Sequence, residues 1–155
     1  MKPILLSLAI CGVAAAQLPQ QKILTVEVAQ TIAQEAMLKC RADGFKVTVT
    51  VVDAGNALKA FLRDDGASLG TVEMGRLKTN TVMAFGRPSG PPANLPAGAP
   101  VPPAVLPGTV NAMGGVPIKA GDQLIGAISV SGAPGGDKDA ACANVALAKV
   151  ADKLK

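Results

Sequence analysis

The stretch that most constrains the fold is Val47 to Ala67, VTVTVVDAGNALKAFLRDDGA. The β-branched run Val47–Val52 is stiff at χ1 and suits a pleated surface. Asp53-Ala54-Gly55-Asn56 then supplies a tight turn in which Gly55-Asn56 can take positive φ, and Ala57 to Arg63 reads as a returning strand stopped by Asp64-Asp65-Gly66. Strict alternation in the second strand places Leu58, Ala60 and Leu62 on one face and Lys59, Phe61 and Arg63 on the other. One face is thus expected to be covered and the other partly wet.

Helical patterns lie on either side of this hairpin. Thr25 is a natural N-cap, and Val26, Ala29, Ala33, Ala36, Met37 and Cys40 recur at helical spacing through Arg41, with Gly44 as the stop. Ser68 or Thr71 caps a second helix reaching about Phe85, with Val72, Thr79, Val82 and Met83 on one side and Met74, Leu77, Lys78 and Thr81 on another. Such a two-sided helix touches both its own sheet and a partner or ligand. A second hairpin follows, Val116 to Lys119 and Gln123 to Ser131 around Ala120-Gly121-Asp122, with Leu124, Gly126, Ile128 and Val130 on one face and Ile125, Ala127, Ser129 and Ser131 on the other. Asp137 or Asp139 then opens a terminal helix striped by Ala140, Ala143, Leu147, Val150, Ala151 and Leu154. Hairpin-joined strands with helices gathered on them argue an antiparallel sheet in an α+β domain.

The segment 86–117 breaks the pattern, because nine of the twelve prolines fall in it. It has no helical or strand period and reads as a long, partly extended proline-rich loop. Leu95, Val101, Val105, Leu106, Val110 and Met113 make it too apolar for a free linker.

The start of the chain carries a basic Lys2, an uncharged run from Ile4 to Val13 and Ala14-Ala15-Ala16, the pattern of a signal peptide cleaved after Ala16. A lipoprotein reading through Cys11 is weaker, since the bulky Ile10 precedes that cysteine. The expected mature domain is residues 17–155, with 17–24 as a short leader, and it is expected to be secreted or periplasmic. No stretch is long enough for an integral membrane span. Loss of Lys2 lowers the formal charge from +4 to +3, and there is no Trp, no Tyr and no basic cluster, so nucleic acid is not an expected partner. Cys40 and Cys142 remain in the mature chain, either as one disulfide or as two buried thiols.

No histidine occurs, which removes Ser-His-Asp and Cys-His catalysis and most zinc or non-haem iron sites. Gly114-Gly115 precedes a strand, and Gly132 to Gly136 lacks a Walker lysine and hydroxyl, so phosphate loops fall away too. Asp53, Arg63, Asp64, Asp65 and Lys78 remain as a polar set. Each has an ordinary role as turn cap, surface pair or solvated charge. Met74, Met83 and Met113 read as core fillers first and soft ligands second.

Taken in order, Leu24-Thr25, Val49 to Gly55 with Leu58, Arg63 to Ala67, Lys78 with Thr81 and Phe85-Gly86, Gly114 to Ile118, and Ile125 to Gly132 with Asp137 resemble the GlcG/HbpS-like haem-degrading domain family. The resemblance implies a profilin-like or PAS-like α+β domain, frequent homo-oligomers, and in several members a bound haem or related corrinoid. It implies a tetrapyrrole site drawing on Arg63, Lys78, Thr81, Met113 and Gly114, with Arg63 or Lys78 toward a propionate and Met113 near the ring. Without histidine, an axial ligand falls to Thr81, Lys78, a Met or a Cys, or is absent. The readings left open are a haem-binding domain in sensing, storage or degradation, an enzyme that opens haem, and an oligomeric interaction domain of the same fold that has lost haem.

Overall fold

The computed structural model describes residues 20–92, 94–96, 98–101 and 106–155. The expected signal peptide and part of the proline-rich loop, Val105 included, lie outside the described residues. Seven main elements follow one another: α1 (Val26–Ala42), β1 (Thr48–Asp53), β2 (Leu58–Arg63), α2 (Gly70–Phe85), β3 (Gly115–Ala120), β4 (Gln123–Ser131) and α3 (Gly136–Lys149). The strands form one antiparallel sheet in the order β2-β1-β4-β3. Helices α1 and α3 cover one face and α2 the other. This is the α+β architecture expected.

The two faces differ in chemistry because β1 alternates. Val47, Val49 and Val51 join Ile118, Ile128 and Val130 in a core closed by Ile32, Ala36, Met37 and Ala143. Each fully buried Val or Ile contributes about 1.5–3 kcal/mol. Thr48 and Thr50 face α2, paired across β4 with Ser131 and Ser129. The second layer is therefore built on hydroxyls, and its apolar part is confined to Val52, Val82 and Ala127, with Met83 against them.

Thr25 caps α1 as expected, its hydroxyl accepting from the Val28 N–H. Residues 22–24 belong to the fold instead of forming a leader: Lys22 N–H donates to Gln123 Oε1, and Leu24 is 1% exposed. Cys40 and Cys142 are joined, with Cα atoms 5.6 Å apart and both residues fully buried. The helices run antiparallel, since Lys149 late in α3 reaches Glu35 earlier in α1 at 3.1 Å. Cys142 thus faces the flank of α1 while Ala143 faces the sheet.

Several expectations change. A bulge at Lys59 shifts the register so that Val51 pairs with Ala60 but Val52 with Leu58. The extra residue turns Leu58 onto the side of Phe61, away from Ala60 and Leu62. As an edge strand, β2 stays largely exposed on both faces, with Leu58 63% and Phe61 40% exposed. A similar irregularity opposite Ile118/Lys119 leaves Ile125 unpaired and puts it in the core with Ile128 and Val130. Only Asn56 has positive φ in the first turn, because Asp53 Oδ1 accepts from the Gly55 and Ala57 N–H groups and fixes the rest. Neither Ser68 nor Thr71 caps α2, and neither Asp137 nor Asp139 caps α3, which ends at Lys149 before a 3₁₀ turn over Ala151–Lys153.

Candidate functional site

Helix α2 lies on the hydroxyl-bearing face through Thr71, Gly75, Lys78, Thr79, Thr81 and Val82, not through the two semi-apolar sides expected. Gly75 permits the approach: a Cβ there would sit 2.8 Å from Thr50 Oγ1. Around it, Thr71 Oγ1 donates to Ser68 O and lies 2.7 Å from Thr48 Oγ1, and Ser129 Oγ donates to Gly75 O at 2.8 Å. Apart from Thr50, whose hydroxyl has no partner, these polar side chains replace apolar packing with satisfied hydrogen bonds.

One turn further along, Lys78 enters the same layer and is 3% exposed. Its Nζ donates to Asp139 Oδ2 at 2.7 Å and to Val130 O at 2.8 Å. Asp139 is equally buried, and its other oxygen accepts from the Ala133 N–H at 2.9 Å. Burial raises the Asp139 carboxyl above its ordinary value, opposed by Lys78 and the Ala133 N–H. The pair ties α2, the end of β4 and the start of α3 into one junction. Gly114 completes it, because at φ +120° it passes so close that a Cβ would lie 2.5 Å from Val130 O and 2.6 Å from Lys78 Nζ.

Above this junction lies a broad, open groove of about 670 Å³. Ser68, Thr71 and Met74 form one wall, Ala112 and Met113 another, and Gly136 with Asp137 the third, while Lys78 and Asp139 lie beneath. The loop wall is pinned from below. Thr81 Oγ1 accepts from the Val110 N–H at 2.8 Å, and fully buried Ser89 donates to Ala112 O and accepts from the Gly115 N–H.

The residues singled out by the resemblance are thus divided. Lys78, Met113 and Gly114 meet at or beside the groove. Thr81 supports the loop and is absent from the lining. Arg63 sits at the end of edge strand β2 and donates to Ala67 O, away from the groove. The polar set also disperses: Asp53 caps its turn, and Asp64 pairs with Arg41 at 2.9 Å. That ion pair holds the Asp64 carboxyl below its usual range. The participant missed by sequence reasoning is Asp139. Its signal lay in Thr71, Gly75, Lys78, Thr79 and Val82, whose 4, 3, 1, 3 steps mark one helix face and put a lysine in its middle. A buried lysine calls for a buried carboxylate.

Among the described residues no group of three or more His, Cys, Asp or Glu is arranged to hold a metal, and no helix is long and apolar enough to cross a membrane.

Comparison with known proteins gives the lineage. No curated protein matches the chain. The HbpS-like haem degrading protein family matches residues 24–148. Among solved structures, HbpS is 34% identical over 89% of this chain and 99% of its own, with a TM-score of 0.75. A double mutant of Streptomyces reticuli HbpS is 33% identical over 92% and 98%, also at 0.75. The PduOC:heme complex, 22% identical over 82% and 94% at 0.70, shares the fold. With its α+β fold, a family match over residues 24–148 and 34% identity to HbpS over 89% of its length, the chain belongs to the HbpS-like haem degrading protein family and is a haem-related domain.

Proposed function

We propose that this chain is an exported domain, residues 17–155 after signal cleavage, that binds haem or a closely related tetrapyrrole in the groove beside Met74 and Met113. The observation that carries the reading is the groove itself. At about 670 Å³, walled by thioethers and small residues, it lies within the usual size of sites that bury a small organic ligand. Membership of a haem-related family and a related fold solved with heme support the choice of guest.

The donor set fits haem in a restricted way. Both described cysteines are in the disulfide, the Lys78 amine is committed to Asp139 and Val130, and the Thr81 hydroxyl is committed to Val110. The thioethers of Met74 and Met113 are the soft donors left on the walls. Lys78 is too buried and too well paired to meet a propionate, and Arg63 lies elsewhere. When bound, haem would supply the iron and the visible absorption. The protein's part is to wall the porphyrin with apolar atoms and hold the loop in place.

Titration of the mature chain with haemin, followed in the Soret region, tests this. A saturating, shifted band that weakens in Met74→Ala and Met113→Ala but persists in Arg63→Ala is expected. A spectrum that never leaves that of free haemin would refute it. Size exclusion alongside reads the homo-oligomer also proposed, and the mass of the exported chain reads cleavage after Ala16.

A second reading, an interaction domain of this fold without haem, is favoured by one observation. The cation best placed for a propionate, Lys78, already has a carboxylate partner. Silent titration by a well-folded oligomer would select it.

A further inference from the structure

At one end the groove runs between the close of β4 and the start of α3, over Ser131, Gly136 and Asp137. Ser131 is 4% exposed, yet its hydroxyl makes no hydrogen bond among the described residues. Unlike the Thr50 hydroxyl, which is sealed off, it belongs to the groove lining and is reached from there. Helix α3 begins at the same end without a side-chain cap. Its first backbone bonds run from the Lys138 and Asp139 N–H groups to Gly135 O, which leaves the Gly136 and Asp137 N–H groups without an acceptor among the described residues. A hydroxyl and two amide hydrogens thus stand at one end of the groove as unused donors.

The unused acceptor at this end is the Asp137 carboxylate. It is exposed and has neither ion pair nor hydrogen bond among the described residues. It folds back over the helix start, with Oδ1 standing 2.5 Å from where a Cβ on Gly135 would be. The other two charges in the lining, Lys78 and Asp139, are spent on each other at 2.7 Å. A net negative charge therefore remains, and it is near enough to help push the Asp139 carboxyl up. A carboxylate entering here would be repelled.

We infer that this end of the groove is a subsite for a neutral carboxamide carried by the guest, its carbonyl oxygen accepting from Ser131 and the start of α3 and its N–H donating to Asp137. One group must supply an acceptor and a donor and carry no negative charge. A carboxylate supplies the acceptor but meets the charge of Asp137, an ester supplies no donor, and an ammonium supplies no acceptor. The inference rests on the groove being the tetrapyrrole site and specifies its guest: side chains ending in amides are preferred there to side chains ending in propionates.

Haemin, its dimethyl ester and its diamide, titrated against the mature chain in the Soret region, separate these chemistries. Wild type is expected to bind the diamide ~5-fold to 10-fold more tightly than the ester, the margin of one buried hydrogen bond, and haemin more weakly than either. Ser131→Ala should weaken the diamide and the ester by a similar factor. Asp137→Ala should bring the diamide down to the ester and strengthen haemin. Both substitutions remove a group that no other residue holds, so unfolding curves close to that of wild type are expected. Equal affinity of wild type for all three compounds, or a diamide preference unchanged in either variant, would overturn the inference and leave the tetrapyrrole reading standing. Spectra that stay those of the free compounds in all three titrations would overturn both.

Discussion

The Lys78–Asp139 junction yields a prediction whose size and pH dependence can both be worked out. Lys78→Met keeps the length of the side chain and removes its charge. It leaves a carboxylate that is 3% exposed with one hydrogen bond, from the Ala133 N–H, and takes a donor from Val130 O. Breaking a buried pair on one side costs about 3–5 kcal/mol, so we expect about 4 kcal/mol at neutral pH, or a fall in Tm of about 10–15 °C for a chain of this size. The sign with pH follows from Asp139. Its folded carboxyl is already raised by burial, so its contribution is fully present below the unfolded carboxyl range and fades as pH rises through the raised value. Removing Lys78 takes away the main force opposing that rise. The variant's deficit relative to wild type should therefore be largest at neutral pH and shrink at acid pH as Asp139 takes up a proton. Lys78→Met/Asp139→Asn, which is neutral at both positions and keeps an acceptor for Ala133, should recover most of the loss at neutral pH. Urea unfolding with the disulfide intact measures all three proteins. A deficit under about 1 kcal/mol, or one of equal size at both pH values, would refute the buried-pair argument.

Three further outcomes are expected. Replacing Cys40 and Cys142 together by Ala should lower stability by about 2–5 kcal/mol, since the bond closes a separation of 102 residues, while wild type should resist native-state reduction because both cysteines are fully buried; urea midpoints and thiol titration read the two effects. Gly75→Ala should destabilise by about 1–3 kcal/mol despite the better helix propensity of alanine, because its Cβ meets Thr50 Oγ1, and the same change in a Thr50→Ala background should become neutral or favourable in a double-mutant cycle. The Asp64 carboxyl is held low by Arg41, so its contribution is present above the unfolded carboxyl range and lost as pH falls through the depressed value; the acid limb of the stability curve should flatten in Asp64→Asn.

How much of this was legible in the sequence depends on what each pattern reports. The hairpins, the three helices and the α1 cap were readable because β-branched alternation, turn residues and a Thr N-cap act locally. The residues of β1 were assigned to strand, yet which of its faces would be apolar was decided by what covers it. Bulges at Lys59 and Ile125 escaped detection, since one extra residue in a ladder leaves the local composition unchanged while reversing the side chains beyond it. Lys78 and Met113 were singled out and lie at one groove. Arg63 was singled out for its motif and lies at a different edge, because a motif shared in order along the chain does not say which members converge in space. Asp139, two residues from the Asp137 in the quoted motif, was invisible as a partner until Lys78 proved to be buried.

The division of the sheet into an apolar and a hydroxyl-bearing face shapes the space left on either flank of α2. The face under α1 and α3 is packed with branched side chains and a buried disulfide, and the open spaces on that side lie at its rim, between α1 and edge strand β2. On the opposite face, threonine, serine and glycine let α2 approach through directed hydrogen bonds, which fix its position at a few points without filling the space on either flank. One flank opens beneath the pinned loop as the groove with Met74 and Met113, and the other opens at the edge strand beside Thr50. Replacing this layer with valines would gain apolar burial but lose the hydrogen bonds that hold α2 between the two spaces. The polar face of β1 is thus the sequence feature from which the spaces on either flank of α2 follow, and the apolar face supplies most of the core that holds the domain together.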